Sequence, residues 1–199
     1  MNSNGNIAGI DPGQASGAIA IFSPEGKLLS VGDLPTQKVV KGKTIRTLLD
    51  GHELRKFLLA QNIGYVVIEK VHTMPKQGVA SQGAFMEAFG LIKGILIGMG
   101  IPFTPIPPET WKKALLNGYG HEKGSAVCRV KNEYPGVVLR GDRCRVDNHN
   151  WADAVCLGEF FFRHGSNPIT AKSSVVKKTQ ITEGNHEDDN YQCAVGCGL

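Results

Sequence analysis

The sequence lacks any long apolar run. No stretch of the 199 residues approaches the roughly 18 uninterrupted apolar residues of a membrane-spanning helix. The first four residues, MNSN, have neither the charged nor the apolar region of a signal peptide. Internal repeats are also absent from the sequence. We therefore expect a soluble cytoplasmic protein that does not contact membranes.

Paired cysteines and strong charge are missing as well. The five cysteines are odd in number and widely scattered, which argues against a disulfide framework and for a reducing compartment. Cys193 and Cys197 are close in sequence, but no second pair stands at zinc-site spacing. The formal net charge of +4 permits a nucleic-acid partner without demanding one.

What the sequence does contain is a series of short apolar segments typical of a sheet. Residues 6–11, 17–22 and 27–34 are rich in Ile, Ala, Val and Leu and are separated by turn-forming residues, which predicts an antiparallel meander of three strands. The short β-branched run at 65–70 predicts a buried strand, and IPFTPIP at 101–107 predicts a further short one.

Helices are predicted where apolar residues recur at helical spacing. The predicted helical segments are HELRKFLLAQN, residues 82–99, PPETWKKALL, residues 122–133 and HNWADAVCLGEFFFRHG, the last of which ends at Gly165. The stretch PTQKVVKGKTIRTLLDG is predicted to be a polar connection. The glycines at 90, 94 and 98 form a strip without side chains that we expect to contact the sheet, with a contact to a second chain of a dimer as the alternative.

The order of these elements predicts the fold class. A meander, a helix, a strand, a helix, a strand and further helices describe an α/β fold with helices on both faces of a mixed sheet. This order resembles the ribonuclease H-like fold, with a five-stranded sheet that is first antiparallel and then parallel. Residues 1–165 are predicted to form this domain, and residues 166–199, which lack periodicity, a disordered tail.

Three acidic residues follow or border apolar segments. Asp11 ends the first predicted strand, Glu69 ends the buried run YVVIEK, and Asp153 lies near the start of the last helix. If that helix packs near the first strand, the three carboxylates converge, and a hard divalent cation such as Mg²⁺ or Mn²⁺ would hold them together. Such a cluster suits phosphodiester hydrolysis with two metal ions.

Each acid also has a simpler interpretation. The DPG sequence is a common turn, so Asp11 alone could serve the turn. Glu69 could end its strand for solubility, and Asp153 could interact with a helix dipole. The combination of all three favours the metal site.

The motifs of the chain resemble those of a known family. GIDPGQASGAIAI, VVIEKVHTMPKQGVASQGAFMEAFGLIKGIL, PPETWKKALL and DNHNWADAVCLGEF resemble the phage, bacterial and chloroplast branch of the RuvC-type Holliday-junction resolvases. The resemblance runs from Ile7 to Phe161, and its most specific part is MPKQGVAS followed by the glycine-spaced helix.

The resemblance implies a function. It implies a homodimeric, Mg²⁺-dependent crossover junction endodeoxyribonuclease that binds four-way DNA junctions and nicks two strands symmetrically, leaving 5′-phosphate and 3′-hydroxyl ends. The role would lie in DNA recombination, repair or phage DNA processing in a bacterial or phage-infected cell. Asp11 would bridge two metal ions, with Mn²⁺ able to substitute, while Glu69 would bind one ion and Asp153 would complete the pair.

The fourth position of this site is less defined in the sequence. Relatives carry an acid or a histidine shortly before the last acid, and His149 lies four residues before Asp153. Residues three or four apart share a helical face, so His149 or Asn150 could reach the same metal. We predict His149 as a ligand or as the base that orients water, with Asp147 and Asn150 in reserve.

Candidate DNA-binding residues lie in two segments. The loop after Glu69 has an apolar and basic tip that could wedge into the centre of a junction, and a basic segment follows PPETW and could contact phosphates. The predicted DNA-binding residues are Met74, Lys76, Gln77, Lys112, Lys113, Lys123, Arg129, Lys131 and Arg143. Trp111 is predicted to lie in the core rather than to stack on a base.

Other classes of function stay open on the sequence. A sugar-kinase or actin-like ATPase also begins with an aspartate and glycines in a hairpin loop, but needs a second phosphate loop, and no further glycine-rich hairpin is evident. A catalytically silent junction-binding protein could share the fold. A broader nuclease that cuts forks and flaps would use the same catalytic residues.

Overall fold

Seven strands and five helices form the part of the chain that the structure describes. The structure is a computed structural model that describes residues 5–71, 78–120, 124–142 and 144–165. The strands are Asn6–Asp11 (β1), Ala18–Phe22 (β2), Leu28–Asp33 (β3), Thr36–Lys41 (β4), Thr44–Leu49 (β5), Ile63–Glu69 (β6) and Phe103–Ile106 (β7). The helices are Gly51–Ala60 (α1), Val79–Gly98 (α2), Pro108–Leu115 (α3), Ser125–Glu133 (α4) and His149–His164 (α5).

The described residues fall within one compact unit of the chain, Met1–Pro168. The tail predicted at 166–199 lies outside the described residues, so the boundary after residue 165 stays a prediction. No helix within the described ranges is long and apolar enough to cross a membrane.

The main sheet has the predicted mixed topology. Its five strands lie in the order β3-β2-β1-β6-β7. The pairs β3–β2 and β2–β1 are antiparallel, and β1–β6 and β6–β7 are parallel. The prediction of a five-stranded sheet that is first antiparallel and then parallel is therefore confirmed.

The register of β1 and β6 brings two acids to the same end of the sheet. Ile10 pairs with Ile68 in the parallel ladder, so the next residues, Asp11 and Glu69, end neighbouring strands. On the other side of β1, Asp11 pairs with Ala18 at the start of β2. Because β1 is the central strand, Asp11 lies between two other strands rather than at an edge.

Alternating side chains of the strands fill two separate cores, one on each face of the sheet. Ile7 and Val67 face α3, α4 and α5 in the first core. Ala8 and Ile68 face α1 and α2 in the second. This alternation follows from the two-residue period of a strand. Helices therefore cover both faces, as predicted.

The segment between β3 and α1 differs from the prediction. The sequence suggested a polar connection, but β4 and β5 form a two-stranded antiparallel hairpin separate from the main sheet. Its turn is Gly42–Lys43, and Gly42 has a φ of 62°. A tight two-residue hairpin turn favours glycine at a position of positive φ. The strands were not predicted because the four basic residues of this segment favoured a polar connection. The β-branched residues around the turn nevertheless form strands.

The glycine strip of α2 also differs from the prediction. A Cβ added at Gly90, Gly94 or Gly98 would meet nothing within 4 Å. The sheet instead receives the opposite face of α2, where Ile92 and Leu96 are fully buried. The expectation that the strip contacts the sheet is wrong, because the larger apolar side chains of this helix take the buried face.

A buried ion pair joins α4 to α5. Arg129 is 1% exposed and donates two hydrogen bonds to the carboxylate of Glu159, at 2.7 and 2.5 Å. It also contacts the Cys156 sulfur at 3.8 Å. The prediction that Arg129 binds DNA is therefore wrong. Its guanidinium compensates a buried carboxylate and is not accessible to a phosphate.

Candidate active site

Three carboxyl groups from separate elements lie at one end of the main sheet. Asp11 ends β1, Glu69 ends β6, and Asp153 lies in the second turn of α5. Each is partly buried rather than fully exposed. The strands deliver the first two through their parallel register, and α5 delivers the third by packing on β1. The structure thus brings together the three acids predicted from the sequence.

Two glycines allow α5 to approach β1 closely. A Cβ on Gly9 would lie 2.1 Å from the carbonyl oxygen of Ala154 and 2.3 Å from the nitrogen of Gly158. A Cβ on Gly158 would lie 2.4 Å from the ring of Phe22. Backbone therefore packs on backbone at this crossing, and Asp153 is next to one of the contact points.

Burial and mutual repulsion raise the pKa values of two of the acids. Burial raises the pKa of Asp11 well above its usual range, and the charges of Glu69 and Asp153 raise it further. Burial and the charge of Glu69 raise the pKa of Asp153 to about 7. Like charges in a poorly hydrated site disfavour ionisation. The three carboxyl groups are therefore electrostatically coupled.

A lysine of α3 opposes this repulsion. The ammonium of Lys112 lowers the pKa of both Asp11 and Asp153, which places its positive charge near the acids. The side chain of Lys112 is exposed, and its ammonium nitrogen lies 5.2 Å from the centre of the Trp111 ring. Lys112 therefore lies between the acids and the solvent.

The Trp111 indole orients one of the acids. Trp111 is fully buried, as predicted, and its Nε1 donates a hydrogen bond of 2.9 Å to Oε2 of Glu69. The burial of Trp111 was predicted from the sequence, but its contact with the site was not. The sequence pattern carries no signal for this contact, which depends on β7 lying beside β6 and leading into α3.

The acids suit a hard divalent cation but do not form a closed ligand set. No group of three or more His, Cys, Asp or Glu among the described residues is close enough to hold a metal ion as it stands. The donor chemistry nevertheless fits Mg²⁺ or Mn²⁺, because carboxylate oxygens are their preferred ligands. A cation shared by the acids would also relieve the repulsion that raises their pKa values.

The first turn of α5 is anchored by contacts from three other segments. The Asn150 side chain donates a hydrogen bond to the backbone carbonyl of Ser16, in the loop that follows Asp11. Asp33 accepts a hydrogen bond of 2.6 Å from Nε1 of Trp151, and the backbone of Asn148 donates to the Leu139 carbonyl at 2.6 Å. These contacts fix the end of α5 that carries Asp153.

The candidates for a fourth ligand lie in different surroundings. His149 is exposed at the first position of α5, with its ring 4.0 Å from where a Cβ of Gly124 would lie. The amide nitrogen of Asn150 donates a hydrogen bond to the Ser16 carbonyl, and Asp147 forms an ion pair with Lys131. The role predicted for His149 stays a prediction.

The predicted DNA-binding residues are described only in part. Lys112 and Lys113 are exposed on α3, and Lys131 is ion-paired with Asp147. The remaining predicted residues lie outside the described ranges, apart from the buried Arg129. They are Met74, Lys76, Gln77, Lys123 and Arg143.

Comparison with known proteins identifies the fold. No protein-family model and no curated protein matches the sequence. The chain is similar to Thermus thermophilus RuvC in complex with a Holliday junction substrate, with a TM-score of 0.55 and 17% sequence identity over 81% of this chain and 96% of that chain.

Two further solved structures have lower TM-scores. A second Thermus thermophilus RuvC structure has a TM-score of 0.47 and 18% identity, over 79% of this chain and 95% of that one. The yeast mitochondrial Holliday junction resolvase Ydc2 has a TM-score of 0.48 and 14% identity, over 80% of both chains. The chain has the RuvC fold, and the resemblance noted in the sequence is confirmed at the level of the fold.

Proposed function

We propose that the protein is a Mg²⁺-dependent endonuclease that resolves four-way DNA junctions. The observation that carries this proposal is the meeting of Asp11, Glu69 and Asp153 at one end of a sheet with the RuvC fold. An oxygen-ligand site beside a lysine fits a phosphodiester substrate, which brings negative charge and further oxygen ligands. The similar RuvC structure contains a Holliday junction, which supports this class of substrate.

The metal site would be formed by the three acids. Asp11, Glu69 and Asp153 would hold two Mg²⁺ ions, or Mn²⁺ in their place, and His149 would complete the set or orient water. Bound there, the ions would lower the pKa of a coordinated water and neutralise charge on the phosphodiester. The products would be a 5′-phosphate and a 3′-hydroxyl.

Other residues of the chain would position the reacting groups. Trp111 fixes the carboxylate of Glu69 through its 2.9 Å hydrogen bond, so this ligand keeps one orientation. The ammonium of Lys112, which lies close enough to lower the pKa of Asp11, would bind the phosphate that is cut. Lys113, exposed on the same helix, would contact a neighbouring phosphate.

Symmetric cutting would require two copies of the chain, and α2 offers a surface for a homodimer. Met86, Leu91 and Ile97 are 45%, 40% and 67% exposed and share a face of α2 with the open glycines at 90, 94 and 98. Glycines let a second backbone approach closely, and the apolar side chains around them would be buried by a second α2. Ile97→Lys should convert a dimer to monomers in sedimentation equilibrium, whereas the α1 variant Leu59→Lys should leave it a dimer.

A panel of DNA substrates tests the reaction. Labelled four-way junction, fork, flap and linear duplex would be incubated side by side with Mg²⁺ and with EDTA. We expect paired nicks in the four-way junction that depend on Mg²⁺. Equal cutting of forks and flaps would instead support a broader branched-DNA nuclease, and tight junction binding without cutting under any metal would support a silent binding protein.

A further inference from the structure

The β4–β5 hairpin exposes both of its faces. Val40 and Ile45 are 69% and 65% exposed, and Lys38, Lys43 and Arg46 are also exposed. The hairpin forms a two-stranded sheet of its own, and of its described side chains only that of the last residue, Leu49, is buried in the core beside α1 and α2. An isolated two-stranded hairpin is marginally stable in water, so its exposed apolar residues contribute little to folding. This exposure indicates a binding surface.

The register places charge and apolar surface at defined positions on the hairpin. Lys38 pairs with Thr47 and Val40 with Ile45, and these two pairs lie on one face. Arg46, opposite Val39, lies on the other face, and Lys43 is in the turn. Positive charge is therefore present on both faces and at the tip, and the pair Val40–Ile45 forms an apolar patch next to the turn.

The charge of this segment is unbalanced. Residues 36–49 contain four Lys and Arg and no Asp or Glu. The whole chain has 22 Lys and Arg and 18 Asp and Glu, so the rest of the chain is formally neutral. The formal net charge of +4 thus resides in the hairpin. A compact block of one sign fits a polyanion.

The base of the hairpin adjoins the loop that follows Asp11. Oε1 of Gln14 accepts a hydrogen bond of 3.1 Å from the backbone nitrogen of Leu49, the last residue of β5. The backbone of Leu34, just before β4, donates a hydrogen bond of 2.8 Å to the carbonyl of Gly17. A strand of six residues spans about 20 Å, so the turn can lie up to about 20 Å from this base beside the loop that follows Asp11.

We propose that the β4–β5 hairpin is a DNA-binding ribbon that contacts the backbone of a substrate arm, with Val40 and Ile45 contacting bases at the branch. This inference rests on the proposed function, because the polyanion next to Asp11 is then the substrate itself. The major groove of B-DNA admits a two-stranded ribbon, and apolar side chains insert readily where bases are already unstacked. Lys and Arg on both faces would contact phosphates on either side of a groove.

Binding measured over a series of salt concentrations tests the charges of the ribbon. The parent protein would carry Asp11→Asn, so that DNA stays intact, and anisotropy would report its binding to a labelled four-way junction and to a linear duplex. The test variant adds Lys43→Gln and Arg46→Gln. The matched control adds Lys27→Gln and Lys56→Gln, which remove the same charge from exposed positions in the β2–β3 turn and in α1.

The two variants should differ in their salt dependence. The slope of log K against log salt is negative, and it should become less steep by about two for the ribbon variant. The slope of the control should stay within about half a unit of that of the parent. Equal slopes for the parent and the ribbon variant would overturn the assignment of the ribbon. Failure of the parent to bind any DNA would overturn the proposed function as well, so the two failures are distinguishable.

A second variant tests the apolar patch. Val40→Thr together with Ile45→Thr keeps β-branched side chains but removes apolar surface. We expect an unchanged salt slope and a several-fold loss of the preference for the four-way junction over the duplex. An unchanged preference would overturn the proposed base contacts.

Discussion

Gly9 and Gly158 face each other where α5 crosses β1, and a Cβ on Gly9 would lie 2.3 Å from the backbone nitrogen of Gly158. This contact sets the depth of α5 on the sheet. It also sets the position of Asp153, which precedes the other contact residue, Ala154. The geometry of the candidate active site thus depends on two residues that have no side chain.

Gly9→Ala should destabilise the protein by about 3 kcal/mol, because its Cβ would overlap backbone atoms that cannot move independently. Urea unfolding measures the effect. The control is Gly32→Ala in β3, where an added Cβ meets nothing within 4 Å and the loss of glycine entropy favours the fold slightly. Equal stability of the two variants would contradict the close crossing.

Asp153→Asn should stabilise the protein at pH 8 in the presence of EDTA. The pKa of Asp153 is about 7 in the fold, and that of an aspartate in an unfolded chain is about 3.9. The folded state therefore binds the proton of the Asp153 carboxyl group more tightly than the unfolded chain does. The stability contributed by this bound proton is fully present below about pH 4 and is lost as pH rises through about 7. The Tm of the variant should exceed that of the wild type at pH 8, and the difference should shrink toward pH 4.

The control for this pH series is Asp142→Asn, at an exposed position of the loop before α5. The Tm of Asp142→Asn should differ little from that of the wild type at both pH 4 and pH 8. If Asp153→Asn lowered the Tm by the same amount at pH 4 and at pH 8, the carboxyl group would not carry the electrostatic strain that we assign to it.

Trp111→Phe should weaken the affinity for Mg²⁺ by about 10-fold. The substitution removes the hydrogen bond that orients Glu69 and keeps most of the core volume. The Mg²⁺-induced rise in Tm provides the measurement. Tyr65→Phe is the control, because it removes a buried hydrogen bond of β6 that joins Thr104 and not an acid. If Trp111→Phe and the wild type reached half of their rise in Tm at the same Mg²⁺ concentration, Trp111 would not orient Glu69 for metal binding.

Glu159→Ala should cost about 3 kcal/mol or more, because Arg129 would remain buried with its principal partner removed. Replacing both residues by methionine should restore much of this stability, since no uncompensated charge would remain. Denaturant unfolding of the single and double variants checks the expectation. A double variant as unstable as Glu159→Ala would show that the loss comes from packing.

The positions of Asp11 and Glu69 could be predicted because each acid follows an apolar strand, and neighbouring parallel strands finish at the same end of the sheet. Asp153 could be predicted from its helix and from the family motif together. Trp111 was assigned to the core correctly, but its hydrogen bond was not foreseen, because a pattern of burial does not show which way an indole N–H points.

Other features depend on tertiary contacts that spacing does not encode. Arg129 and Lys131 are two residues apart in sequence, yet one is buried against Glu159 and the other is paired with Asp147 near the surface. The strip formed by Gly90, Gly94 and Gly98 faces outward because the bulkier apolar residues of α2 take the sheet. In each case the contact depends on a side chain elsewhere in the fold or on another face of the helix: Glu159 and Asp147 for the two cations, and Ile92 and Leu96 for α2.

The role of the three acids in cleavage can be measured with the wild type and Asp11→Asn. Each would cut a four-way junction with Mg²⁺ under single-turnover conditions. The same proteins would be assayed for junction binding. We predict that Asp11→Asn binds the junction as tightly as the wild type but cuts it at least about 1,000-fold more slowly. Cutting by Asp11→Asn at the wild-type rate would contradict the carboxylate site and the function proposed from it.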